Sequence, residues 1–120
     1  MKIKGLVIAT VFALSSVSAV FAADNLSQTF QSGWGNQAAT GQVGRNNYSL
    51  TGQLGGWNSS TTVQFGRNNI SGTAQFGFGN RSYTEQLGRG NVSGTIQSGF
   101  GNNAQTYQQG VGNQSVTIQH

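Results

Sequence analysis

Glutamine returns every eleven residues along this chain without a slip, at Gln31, Gln42, Gln53, Gln64, Gln75, Gln86, Gln97, Gln108 and Gln119. Asparagine keeps the same interval at Asn25, Asn36, Asn47, Asn58, Asn69, Asn80, Asn91, Asn102 and Asn113. Threonine does so at Thr29, Thr40, Thr51, Thr62, Thr73, Thr84, Thr95, Thr106 and Thr117. A Ser or Ala stands two places after each Asn, Ala38 and Ala104 being the two alanines. Glycine follows each of the first eight glutamines by two places, at Gly33, Gly44, Gly55, Gly66, Gly77, Gly88, Gly99 and Gly110. Residues 25–120 are therefore nine copies of N-x-(S/A)-x-T-x-Q-x-G-x-x, the ninth shortened. A strict period of identical polar residues means identical side chains stacked on one another, so a repeat architecture is the first constraint on the fold.

Within each unit the fixed Asn, Ser/Ala, Thr and Gln occupy alternate places, which is the period of a β-strand. The glycine-containing stretch that follows, as in Gly33-Trp34-Gly35 or Gly77-Phe78-Gly79, supplies the positive φ of a tight turn. Each unit reads as a strand of about seven residues and a turn of about four. A second period lies inside the first. The residue after the repeat glycine is Arg45, Arg67 and Arg89 in one series and Trp34, Gly56, Phe78 and Phe100 in the interleaved one. The simplest geometry is a flat coil whose circuit takes two strands and two turns. The expected fold is all-β: a two-sheet parallel β-solenoid of nine eleven-residue strand–turn units, twenty-two residues per circuit, with cross-β stacking into fibres. The odd-numbered units share one sheet and the even-numbered units the other. At ~4.8 Å per rung, four and a half circuits stand roughly 20 Å tall.

The usual pattern would bury the apolar face. Here the variable face carries Phe30, Leu54, Phe65, Phe76 and Ile96, but also Gln28, Arg81 and Glu85. Burying Arg81 or Glu85 unpaired would cost several kcal/mol. The fixed face varies only between Ser and Ala, as a narrow interior demands. Asn, Ser/Ala, Thr and Gln are therefore assigned to the inside, their amides bonding along columns. The alternative keeps the apolar face inside and the polar face out.

Composition narrows the function. There is no cysteine and no proline, so neither a disulfide framework nor a thiolate metal site is available. Four arginines, Arg45, Arg67, Arg81 and Arg89, against Asp24 and Glu85 leave +2 beyond residue 22, too little to make nucleic acid the primary ligand. Residues 1–22 differ in kind: Lys2 and Lys4, an apolar stretch from Leu6 to Leu14, then Val20 and Ala22 before a cut at Ala23. That is the pattern of a secretory signal peptide, too short to span a bilayer. The expected organisation is signal peptide 1–22, a short N-terminus 23–24, and the repeat solenoid 25–120, exported and without a transmembrane span.

Enzyme chemistry finds no footing. His120 is the one histidine, and Asp24 and Glu85 lie far apart. No serine has a base in a plausible motif. The G-x-G triplets lack a following Lys-Ser/Thr and read as turns. No cofactor, catalytic or metal site is assigned. The seven N-x-S sequons, such as Asn47-Tyr-Ser49, are by-products of the repeat, and an inward Asn cannot carry a glycan.

The unit N-x-(S/A)-x-T-x-Q-x-G, paired into circuits of twenty-two, resembles the curlin repeat of bacterial curli fibre subunits. The stretch Gln75-Phe-Gly-Phe-Gly-Asn80-Arg-Ser82-Tyr-Thr84-Glu-Gln86 is similar to the family pattern Q-x-G-x-G-N-x-A-x3-Q, and the resemblance runs from Asn25 to Gln119. It implies a secreted functional amyloid that builds extracellular fibres at the bacterial cell surface for biofilm matrix and adhesion. It also implies an outer-membrane secretion channel and a companion curlin subunit as partners. The chain departs from the familiar pattern in two ways. Thr fills all nine positions where Leu or Ile is common, and only Ala23 and Asp24 stand where the major subunit carries a Gly-rich targeting segment.

Self-association follows from the ends. A coil of strands exposes a row of N–H and C=O groups at each end, and soluble solenoids cover them with atypical capping repeats. Here Asn25–Gln31 and Asn113–Gln119 both fit the consensus, so homopolymeric end-to-end stacking is expected. An odd unit number implies about half a rotation between neighbours. The column Arg45, Arg67 and Arg89 reads as a solvated feature that slows premature aggregation, or as a site for an anionic surface. Two other functions compete: an ice-binding solenoid, which needs the Ser-x-Thr face outside, and a curli nucleator.

Overall fold

The computed structural model describes residues 16–21 and 24–120. Ten strands follow one another: β1 (Ser16–Phe21), β2 (Leu26–Trp34), β3 (Gln37–Arg45), β4 (Tyr48–Gly56), β5 (Ser59–Arg67), β6 (Ile70–Phe78), β7 (Arg81–Arg89), β8 (Val92–Phe100), β9 (Asn103–Val111) and β10 (Gln114–Gln119). They form two parallel five-stranded sheets, β1-β3-β5-β7-β9 and β2-β4-β6-β8-β10. The chain changes sheet at every turn, and each circuit is twenty-two residues: Thr40 stands in register with Thr62, Thr62 with Thr84, and Thr84 with Thr106. The molecule is a two-sheet parallel β-solenoid.

The strands are longer than the repeat suggests. From β2 to β9 each has nine residues, and only two residues separate one from the next. The repeat glycine and its successor, read from sequence as turn, stay in the ladder: Gly66 pairs with Gly88 and Arg67 with Arg89. Gly66 has φ +121° and Gly77 φ +113°. A Cβ at either would collide with the carbonyl of the glycine one rung on. The chain bends there without leaving the sheet, because glycine alone tolerates both the torsion and the approach.

The corner is completed just before each repeat Asn, at Gly35, Asn46, Trp57, Asn68, Gly79, Gly90, Gly101 and Gly112, all with φ between +56° and +70°. Gly and Asn are the usual occupants of this left-handed region. Trp57 is not. Its ring lies over Gly35, where an added Cβ would meet it. Gly56 in turn leaves room for Trp34 on one side and Phe78 on the other. The interchange of glycine and aromatic in this one turn is thus compensated by its neighbours.

Burial alternates strictly, and the inner face is the invariant polar one. Among the described residues the only buried apolar side chains are Ala38 and Ala104. Gln42, Gln64, Gln75, Gln86, Gln97 and the repeat asparagines Asn36, Asn47, Asn58, Asn69, Asn80 and Asn91 are fully buried. Arg81 faces out, and Glu85 lies half-buried on the outer face.

Strand β1 falls within residues 1–22, the stretch read as a signal peptide. Its backbone pairs with β3, Ser16 to Ala38 through Phe21 to Val43, the same twenty-two-residue step as elsewhere. If cleavage occurs at Ala23, this strand is lost and the edge of β3 is bare.

Candidate self-assembly site

Two glutamine columns run the height of the interior. In one, each Nε2 donates to the Oε1 one rung on: Gln31 to Gln53, Gln53 to Gln75, Gln75 to Gln97 and Gln97 to Gln119, at 2.6–2.8 Å. In the facing sheet Gln42 donates to Gln64, Gln64 to Gln86 and Gln86 to Gln108, at 2.7–2.8 Å. The second Nε2 hydrogen crosses to the other sheet, as from Gln64 to the Tyr48 carbonyl at 3.0 Å and from Gln75 to the Ser59 carbonyl at 3.0 Å. Each central amide is saturated, the condition under which a buried polar network stabilises. Every Gln-to-Gln bond is donated toward the C-terminal end, so the columns have a direction.

The asparagines work differently from a simple amide stack. The Oδ1 of each accepts from the backbone N–H of the Asn one rung on, as from Asn69 N to Asn47 Oδ1 at 3.2 Å and from Asn91 N to Asn69 Oδ1 at 3.1 Å. The Nδ2 holds the corner: in Asn69 it donates to the Phe65 carbonyl and to the Gly88 carbonyl, both at 3.2 Å. Direct Asn–Asn side-chain bonds are fewer, for example Asn58 Nδ2 to Asn36 Oδ1 at 3.2 Å. Asparagine therefore fixes the turn that glycine permits.

The Ser and Thr columns fill the space between the amides. Ser49, Ser60, Ser71, Ser82 and Ser93 and the repeat threonines Thr40, Thr51, Thr62, Thr73, Thr84, Thr95 and Thr106 are buried, while Thr29 and Thr117 on the end strands are partly covered. The Ser-x-Thr array that an ice-binding surface requires therefore faces the interior, which removes the geometric basis of that reading.

The outside is divided by edge. Arg45, Arg67 and Arg89 stand on adjacent rungs of one sheet, followed by Val111. The opposite edge carries Trp34, Trp57, Phe78 and Phe100, with the two Phe rings stacked at 5.7 Å. On the outer face Tyr83 Oη donates to Glu85 Oε2 at 2.9 Å. That hydrogen bond, and to a lesser degree burial, hold the phenol pKa above its ordinary value. No group of three or more His, Cys, Asp or Glu gathers among the described residues, and no helix among them is long and apolar enough to cross a membrane.

What the arrangement can do chemically lies at its ends. Among the described residues β2, β9 and β10 each lack a neighbour on one side, leaving backbone groups and amide columns ready for another strand. Sequence reasoning placed the columns but missed the positive-φ corner position, for which the Gly/Asn bias just before each repeat Asn was an available signal. The chain matches no protein-family model, no curated protein and no solved structure with which it was compared.

Proposed function

We propose that this chain is the secreted structural subunit of a curli-like extracellular amyloid fibre, built by end-to-end stacking of copies and serving surface adhesion and biofilm matrix. One observation carries the reading. The inner columns are the same residue on rung after rung, so a strand from another copy meets the bonding pattern of the next rung of its own coil. An open parallel edge with saturated, directional amide columns behind it is a template. The resemblance of the repeat to curlins adds the setting: a leader removed near Ala22 and Ala23, passage through an outer-membrane channel, and a companion subunit that starts the fibre.

Electron microscopy of the exported protein held at neutral pH tests this directly. Unbranched fibres with a thioflavin response and a meridional reflection near ~4.7 Å are expected. Particles that stay single when concentrated and seeded would refute it.

A further inference from the structure

The Gln columns are complete except at their ends, and the ends are complementary. Gln42 Oε1 is buried and has no hydrogen-bond partner among the described residues. Its equivalents one, two and three rungs on, in Gln64, Gln86 and Gln108, each accept from the preceding amide. In register beneath Gln42 stands Val20 of β1, and a valine side chain carries no donor. At the far end Gln119 Nε2 donates to the Asn103 carbonyl at 3.0 Å, and its second hydrogen has no partner among the described residues. A spare buried acceptor at one end thus answers a spare donor at the other, and an unsatisfied buried acceptor is costly enough to select between packings.

We propose that a second copy of this chain seats its β9–β10 end against β2 and β3, with its Gln119 Nε2 donating to Gln42 Oε1 and the two copies related by about half a rotation around the stack axis. This rests on the fibre reading and specifies its joint. Continuing the coil past β10 puts the next strand over β9. That strand is β2 of the next copy, which in its own copy belongs to the other sheet, hence the half-turn. The following strand, β3, then lies over β10, which sets Gln42 one rung beyond Gln119, the same step as from Gln97 to Gln119. Stacking without rotation places β2 over β10 and leaves Gln42 with an empty rung, its acceptor still unpaired. Strand β1 occupies the rung that an incoming β10 needs. It is therefore a plug that has to leave before this end can accept another copy.

The test exchanges one atom. Gln119→Glu keeps the Oε1 that accepts from Gln97 and replaces the Nε2 donor with a second acceptor. In seeded elongation at neutral pH this variant of the exported protein is expected to extend at least about tenfold more slowly than the wild type, the effect of losing ~1.4 kcal/mol at the joint. At about pH 3, below the ordinary Glu pKa of ~4.3, protonation removes the charge facing Gln42 Oε1 and restores one of the two donors, for which the Asn103 carbonyl also competes, so elongation relative to wild type at that pH should recover in part. Averaged images of wild-type fibres should show neighbours turned by about half a rotation. Wild-type speed at neutral pH, a slowing relative to wild type that is the same at both pH values, or neighbours without rotation would each overturn the joint while leaving the fibre reading intact. A wild-type protein that forms no fibre overturns both. A chain kept uncleaved retains β1 on that rung and should show a longer lag before growth than the chain cut before Ala23; an equal or shorter lag would refute the plug.

Discussion

Among the described residues, eight of the nine buried side-chain atoms without a hydrogen-bond partner are Ser and Thr hydroxyls, in Ser60, Thr62, Ser71, Thr73, Ser82, Thr84, Ser93 and Thr95. Like residues on neighbouring rungs are ~4.8 Å apart, too far for a hydroxyl to bond its twin at ~2.8 Å. These residues are held for shape, as the natural Ala38 and Ala104 indicate. Thr73→Val should therefore raise the denaturation midpoint by the equivalent of about 1 kcal/mol; a lowered midpoint would show that the hydroxyl is satisfied. Gln75→Leu goes the other way. It strands the Gln53 amide, the Ser59 carbonyl and the Gln97 Oε1, each at about 1–3 kcal/mol, and should abolish cooperative unfolding of the folded subunit. Tyr83 supplies a pH signature. Its folded-state pKa is raised, so its contribution to stability is present below the ordinary tyrosine value and is lost as pH rises through the folded one. Ultraviolet titration should show Tyr83 ionising above the ordinary tyrosine value, and Glu85→Gln should lower its pKa.

At the level of the strand, the eleven-residue beat was legible because period-two alternation and a fixed glycine are separate signals that agree. The inward face was legible because Arg81 and Glu85 exclude the other choice. Strand length was not. Glycine reads as a breaker, yet Gly66 bends the chain while its partner Gly88 stays paired, a combination that depends on a neighbouring rung and so on tertiary structure. Gly66→Ala tests this. The added methyl meets the Gly88 carbonyl at a φ of +121°, so the variant should lose protection of both adjacent strands in hydrogen exchange, and a protected variant would contradict the stacking. The Gly56–Trp57 interchange was illegible for a similar reason, since its compensation comes from Gly35, Trp34 and Phe78 in other circuits. The pairing of β1 escaped a reading of Ser16–Phe21 because that stretch has the composition of a leader and none of the amides of the repeat.

Across the whole molecule, one edge is basic and the other aromatic. The Arg45, Arg67 and Arg89 side chains rise from rungs ~4.8 Å apart, and stacking copies brings more like charge into line. Replacing all three with Gln should speed fibre growth, and raising ionic strength should speed the wild type toward the same rate, because a Debye length of about 8 Å at physiological salt already screens part of the repulsion. Equal rates for variant and wild type at low salt would remove any pacing role. The one-way run of the Gln amides, from Gln31 to Gln119 and from Gln42 to Gln108, reaches further. If copies stack as proposed, a filament snapped at a joint leaves one face that gives hydrogen and one that takes it, the same pair it had before. Shear on a surface would therefore multiply viable tips without spoiling any, and fragments could rejoin only nose to tail.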